Sequence, residues 1–202
     1  MIPNLTKIRS NGAQPRIHGN GFIQLDLTEM SRLHIWGHPD IPKQKVPVPI
    51  HNHRFSFRST VLVGRMINVI YDFERHDNIY DFEYHSYFKP TFTEYEAVCR
   101  QDEDTILTAT NNHGTISKRQ IDLIDSRSSN NSYVMFLGEY HEMVPCIPSA
   151  TFCTKIKTRP SYVPKVLVPY GEQPDNSFDR YDSMDSNEIW DIIHDVMERQ
   201  IA

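Results

Sequence analysis

The sequence predicts an all-β fold, built as one small barrel, that ends in a single α-helix. Segments of alternating or β-branched residues follow one another along most of the chain, and turn residues separate them. Many short strands in succession are typical of a sandwich or a closed barrel. Thirteen prolines against eight glycines in 202 residues argue against a helical bundle. The length suits one domain, so we predict a barrel over residues 1–170, an acidic linker over 171–185 and a helix over 186–202.

The first predicted strands have the clearest patterns. Residues 22–27 alternate apolar and polar side chains, and residues 33–36 follow after a polar break. Gly64 joins the β-rich segments 59–63 and 66–73 by a tight turn. Further strands are predicted at residues 91–100, 105–110, 115–124 and 133–137, with the run Asn111-Asn112-His113-Gly114 as a hairpin turn.

The C-terminal third changes character. Prolines punctuate residues 148–169, which predicts a last strand of the edge type. Asp185 and Glu188 form a capping pair at the start of a helix over residues 186–200. Apolar side chains recur there at the spacing of one helical face, at Ile189, Ile192, Ile193, Val196 and Met197. This apolar face is expected to be buried, either against the barrel of the same chain or against the second chain of a homodimer.

Charge and composition narrow the classes of partner. Residues 171–202 carry a formal charge of -7 and residues 1–170 carry +2, so no basic surface for nucleic acid is predicted. Three cysteines without metal-type spacing favour reduced thiols over a disulfide framework. The first twenty residues lack the apolar core of a signal peptide, and no apolar run approaches a membrane span. We therefore expect a cytoplasmic protein that binds neither nucleic acid nor membranes.

The segment with the most chemical information contains His51 and His53. Alternate side chains of an extended strand share one face, so these two imidazoles are predicted to point the same way. Two nitrogen donors on one face can bind one metal ion. The chain has ten histidines, and a chance pair at this spacing is the alternative.

Two stretches of the chain resemble the two motifs of the cupin superfamily. The first motif has the form His-x-His, followed by Glu and then Gly, and the second contains Gly-x-x-His. His51, His53 and Gly64 stand at the spacing of the first motif, and Gly138 and His141 match the second. The resemblance implies a jelly-roll barrel, also called a double-stranded β-helix, and one divalent metal held by the three histidines.

The departures from the cupin pattern point to a particular kind of site. Phe57 stands where the family has its metal-binding Glu, which leaves three histidines and no carboxylate. This ligand set resembles that of cysteine dioxygenase-type cupins and implies Fe(II), although imidazole also accepts Zn, Mn and Ni. Phe57 also occupies the place of the crosslinked cysteine of cysteine dioxygenase, so that cofactor cannot form at this position.

Strand alternation and proximity suggest the residues around the metal. Phe55, Phe57 and Ser59 share the predicted inward face with His53 and would line a pocket, with ordinary barrel core as the alternative. Tyr71 and Tyr140 are further pocket candidates.

Glu139 has the same strand parity as His141 in the second motif. It is predicted to orient an imidazole or to act as a fourth ligand, and a surface carboxylate near a turn is the alternative.

Three functions remain open from the sequence. The first is a metal-dependent oxygenase of the three-histidine cupin type that acts on a small organic substrate, with no catalytic acid or base identified. The second is a non-catalytic cupin that binds a metal or a ligand. The third is a metal-independent sugar epimerase-like cupin with a histidine base. Neither a Gly-x-Ser-x-Gly motif nor a glycine-rich phosphate loop occurs.

Overall fold

The structure is a computed structural model that describes residues 3–42, 49–76, 90–99, 105–174 and 184–199. Within these ranges the chain is mostly β, as the sequence predicts. The strands are β1 Arg16–His18, β2 Phe22–Thr28, β3 Ser31–Trp36, β4 Phe55–Val63, β5 Arg65–Arg75, β6 Thr91–Cys99, β7 Thr105–Asp125, β8 Ser132–Met135, β9 Tyr140–Pro145, β10 Ser149–Thr158 and β11 Lys165–Pro169. The helices are α1 Leu5–Ser10 and α2 Ser186–Glu198.

The strands form two antiparallel sheets. The first sheet has six strands in the order β1-β2-β3-β10-β4-β8, and the second has five in the order β11-β6-β7-β5-β9. The tight turn between β4 and β5 leads from the first sheet to the second at Gly64, whose φ of 80° suits glycine. A Cβ atom at this position would lie 2.7 Å from the Pro148 carbonyl oxygen, so the turn also needs the space.

The short segment around His51 joins the two edges of the second sheet. His51 forms bridges to His141 on the edge strand β9 and to Val166 on the opposite edge strand β11. The His51 amide donates to the His141 carbonyl at 3.0 Å, and the Leu167 amide donates to the Ile50 carbonyl at 2.9 Å. The short segment around His51 therefore satisfies backbone groups on both edges.

Strand alternation gives the first sheet two different faces. On β3, Leu33 and Ile35 are almost fully buried on the face that packs against α2. His34 and Trp36 point the other way and line a cavity between the sheets. The alternating pattern in the sequence thus separates a core face from a cavity face on the same strand.

Helix α2 packs on its own chain. Its capping box joins the Asp185 and Glu188 side chains to the first turn, as predicted. The apolar face of the helix is buried in one cluster with residues of the first sheet, among them Ile23 and Leu33. This contact supplies the cover that the sequence requires for the helix. Residues 175–183 of the predicted linker lie outside the described residues.

One strand prediction is wrong, and another is correct only in part. Residues 111–114 do not form a hairpin turn, because β7 runs through them without a break. The first half of β7 pairs with β6 and the second half pairs with β5, so both halves are hydrogen-bonded within one extended strand. Asn111 has a φ of 62° at an irregularity in this strand. Residues 148–169 form two strands. The last of them, β11, is an edge strand as predicted, whereas β10 lies in the interior of its sheet between β3 and β4.

A buried carboxylate crosslinks the second sheet. The Glu94 side chain has no exposed surface and accepts hydrogen bonds from Lys165 Nζ at 2.8 Å and Arg75 at 2.9 Å. Tyr140 and Asn112 donate two further bonds at 2.7 and 2.8 Å. Burial would raise the pKa of Glu94, but these bonds lower it to about 2. One ionised side chain therefore links residues of all five strands of the second sheet.

We expect the Glu94→Gln substitution to destabilise the fold by roughly 3 kcal/mol, because it leaves the partly buried Lys165 cation without its counterion. The folded-state pKa of Glu94 lies below its ordinary value of 4.5. Its stabilising contribution is therefore complete above about pH 4.5 and is lost as the pH falls toward 2. Urea unfolding at several pH values measures both effects. The Glu96→Gln control removes a charge from the same strand, and equal destabilisation by the two substitutions would contradict this account.

None of the described helices is both long and apolar enough to cross a lipid bilayer.

Candidate metal centre

The fold brings together three histidines from two distant parts of the sequence. Their ligand nitrogens all lie within 4.8 Å of one another. His51 lies at the bridge between the edges of the second sheet, His53 lies between that bridge and β4, and His141 is the second residue of β9. The reciprocal backbone hydrogen bonds between His51 and His141, at 3.0 and 2.9 Å, hold the two segments side by side. The predicted grouping of His51, His53 and His141 is therefore present.

The closest pair of ring nitrogens has a separation that suits metal binding. His53 Nε2 and His141 Nε2 lie 3.0 Å apart. Two imidazoles that bind one ion at roughly 2.1 Å have their nitrogens about 3 Å apart or slightly more. The donor set of three imidazoles suits a first-row divalent ion.

Hydrogen bonds fix the orientation of two of the rings. His51 Nδ1 lies 2.8 Å from the Pro49 carbonyl oxygen, and His141 Nδ1 lies 3.0 Å from Asn68 Oδ1. A carbonyl oxygen can only accept, so the shortest Nδ1 contact of each ring assigns the proton to Nδ1 and leaves the lone pair on Nε2. Asn20 Nδ2 makes a longer contact with His51 Nδ1, at 3.3 Å. Metal-binding histidines almost always donate their second N–H in this way. Both rings therefore present the nitrogen that a metal requires.

The environment keeps the three imidazoles neutral. Burial lowers the pKa of His51, His53 and His141, and for His53 and His141 the pKa lies well below its ordinary value. Neutral imidazole is the form that binds metal ions.

The predicted aromatic wall lies beside this group. Phe55, Phe57 and Ser59 line the cavity into which the histidines open, as the alternation of β4 predicts. The Phe57 ring is buried, with its centroid 5.0 Å from that of His53 and 5.9 Å from that of His141. An apolar ring thus occupies the place at which the cupin pattern has a carboxylate.

Tyr71 and Tyr140 do not line this cavity, contrary to the prediction. They face the interior of the curled second sheet, where they pack together with Ile50 and Leu167. Tyr71 donates to Glu142 at 2.8 Å, and Tyr140 donates to Glu94. The reason is alternation, because Tyr140 precedes His141 on β9 and its side chain therefore leaves the opposite face.

Glu139 is not part of the histidine group, so its predicted role as a ligand or orienting group is wrong. Its carboxylate pairs with Arg119 and accepts a hydrogen bond from the Phe136 amide at 2.9 Å. The residue lies in the turn before β9, where strand parity does not apply. The orienting group is instead Asn68 on β5, whose side chain is fully buried.

The structure adds a wall to the cavity that the sequence did not assign. Strands β1, β2 and β3 contribute further side chains to the cavity, namely Arg16, His18, Phe22, Gln24, Arg32, His34 and Trp36. The cavity has a volume of about 310 Å³, at the lower end of the range for small-molecule sites. The alternation in residues 22–27 and 33–36 carried this signal, since it defines a second face on each strand.

Asn68 gives a direct test of the hydrogen bond behind His141. We expect the Asn68→Leu substitution to weaken Zn²⁺ binding by about 10–100-fold, because the His141 ring loses the acceptor that fixes it. The Asn68→Asp variant keeps an acceptor oxygen and should bind Zn²⁺ within a few-fold of wild type. Competition with a chromophoric chelator measures both affinities. Equal losses in the two variants would mean that Asn68 acts through packing alone.

Comparisons with known proteins identify no relative: neither a protein-family model, nor a curated protein sequence, nor a solved structure gives a significant match to this chain.

Proposed function

We propose that this chain is a metal-dependent enzyme with a cupin jelly-roll fold, which holds Fe(II) through His51, His53 and His141 and oxidises a small organic molecule. The observation that carries the proposal is the convergence of three imidazole nitrogens within 4.8 Å of one another beside a cavity of about 310 Å³. The resemblance of the two histidine segments to the cupin motifs supports the choice of iron.

The path of the chain supports the jelly-roll part of the proposal. From β3 onward, the chain passes from the first sheet to residues 50–52 at the edge of the second, and back to β4 in the first. It then enters the second sheet at β5, returns to the first at β8, and alternates again through β9 and β10. Repeated crossing between two antiparallel sheets is typical of jelly rolls.

The residues of the chain divide the work at such a site. His51, His53 and His141 would each hold the ion through one ring nitrogen, which is Nε2 for His51 and His141. Three protein ligands would leave other coordination positions to substrate and dioxygen. A bound Fe(II) ion would supply the redox chemistry that no side chain here can provide. The Pro49 carbonyl and Asn68 hold two of the rings, and Phe57 keeps water away from one side of the group.

Metal analysis followed by oxygen measurement tests the proposal. Protein purified without added metal is loaded anaerobically with Fe(II), and bound iron is counted by mass spectrometry. We expect about one iron per chain, and oxygen uptake with at least one member of a panel of thiols and small carboxylic acids. The His53→Ala variant should lose both, and His194→Ala on α2 should lose neither.

Two results would revise the proposed function. Stoichiometric metal without oxygen uptake favours a non-catalytic metal-binding cupin. Failure to bind Fe(II), Zn²⁺, Mn²⁺ or Ni²⁺ would contradict a metal function altogether.

A further inference from the structure

The cavity wall formed by β1, β2 and β3 has an unusual charge composition. Among the described residues that line the cavity, none is an aspartate or glutamate, and the wall itself carries two arginines, Arg16 and Arg32. A cavity lined by one sign of charge concentrates ligands of the opposite sign. The wall therefore favours an anion.

One carboxylate partly balances this charge from the edge of the wall. Asp26 Oδ2 lies 2.7 Å from an Arg16 nitrogen. Arg32 Nε lies 2.7 Å from Asp26 Oδ1, close enough for an ion pair although its buried N–H does not point at the oxygen. Two guanidinium groups share one carboxylate, so a net positive charge remains. A second anion can therefore bind here without displacing Asp26.

His34 supplies a hydrogen-bonding atom on the same wall. Its Nε2 is buried and has no hydrogen-bond partner within the described part of the chain. The ring lies beside the stacked rings of Phe22 and Trp36, with centroids 4.9 and 5.8 Å away. Burial, followed by the charge of Arg32, lowers the pKa of His34 to about 3, so the ring is neutral near pH 7. A buried polar atom without a partner costs about 1–3 kcal/mol, which a ligand that supplies the partner recovers.

We propose that the wall formed by β1, β2 and β3 binds the carboxylate end of a small organic anion. His34 Nε2 donates a hydrogen bond to one carboxylate oxygen, and Arg16 and Arg32 supply the attractive charge. The apolar part of the anion lies against the aromatic side chains of the cavity, with Phe22 and Phe57 on its two sides. The inference rests on the proposed function only in treating this anion as the substrate of the metal centre.

Calorimetric titration of the metal-free full-length chain tests the inference without any enzymatic activity. The probes are acetate, propionate and benzoate, each compared with its neutral amide. We expect at least one carboxylate to bind about tenfold or more tightly than its amide, a difference that corresponds to one charge-assisted hydrogen bond. If no carboxylate binds more tightly than its amide, the inference is overturned.

Three variants place the binding on this wall. Asp26→Asn removes the competing carboxylate and should strengthen carboxylate binding several-fold. His34→Phe should weaken it about tenfold, with circular dichroism as the check that the variant is folded. Arg58→Gln removes a positive charge from the exposed face of β4 and should change nothing. Carboxylate affinities that are the same in Asp26→Asn, His34→Phe and wild type would place the anion elsewhere and overturn the inference.

The same titration separates this inference from the proposed function. His141→Ala, measured without metal, should keep the carboxylate affinity of wild type, since His141 is not among the residues proposed to hold the carboxylate. If the wild-type chain binds carboxylates but no metal, the proposed function is contradicted and this inference is not. If the chain binds metal but binds each carboxylate no more tightly than its amide, this inference is contradicted and the proposed function is not.

Discussion

The His141→Ala variant is expected to bind Zn²⁺ at least about a hundredfold more weakly than wild type, because removal of a ligand costs more than the 10–100-fold loss that follows removal of a ligand's partner. The substitution takes away one of three nitrogens that lie within 4.8 Å of one another. Two imidazoles remain, and the cavity offers no carboxylate among the described residues to replace the third.

Competition with a chromophoric chelator measures the Zn²⁺ affinity of this variant. The control is His194→Ala, which removes an imidazole from α2 outside the cavity. It should bind Zn²⁺ as wild type does. A His141→Ala chain with wild-type affinity would mean that the metal lies elsewhere, even if wild type binds one ion per chain.

The Trp190→Ala variant is expected to lose about 4 kcal/mol of folding free energy, the typical cost of removing a large aromatic side chain from a core. Trp190 is 2% exposed and belongs to the cluster that joins α2 to the first sheet. The Arg9 guanidinium of α1 also lies over its ring, 5.5 Å from the centroid. Truncation leaves a cavity under both helices at once.

Urea unfolding followed by circular dichroism measures the effect of this substitution. Asp191→Ala is the matched control, since it alters the exposed neighbour on the same helix and should change the free energy of unfolding by no more than about 0.5 kcal/mol. If Trp190→Ala costs less than about 1 kcal/mol, α2 is not part of the core and its apolar face is free for a partner.

Local patterns predicted much of the fold. The helix was found because its apolar spacing and its capping pair at Asp185 and Glu188 are properties of neighbouring residues. The strands around residues 22–36 were found from alternation, which also depends only on neighbours. The hairpin at residues 111–114 was wrong for the same reason, because turn residues indicate a local bend and contain no information about the strands on either side. Pairing with β6 and β5 along its whole length keeps β7 extended.

The candidate site shows the same division. His51, His53 and His141 were found because the spacing of two motifs is visible in the sequence. Asn68 was missed because its contact with His141 depends on the register of β5 against β9, which pairs Ile70 with His141.

The positions of Tyr140 and of the cavity wall on β1–β3 differ in how far the sequence predicts them. Strict alternation already separates Tyr140 from His141, so its assignment to the pocket was avoidable. Alternation places His34 and Trp36 on one face of β3, but only the structure shows that this face meets the cavity.

The central claim is that one metal ion lies between His51, His53 and His141. Crystals of the chain grown with Zn²⁺ and measured at the zinc absorption edge give the most direct test. We predict one strong anomalous difference peak, at about 2.0–2.1 Å from a ring nitrogen of each of the three histidines. A peak at another group of side chains, with these three rings left unbound, would contradict the account.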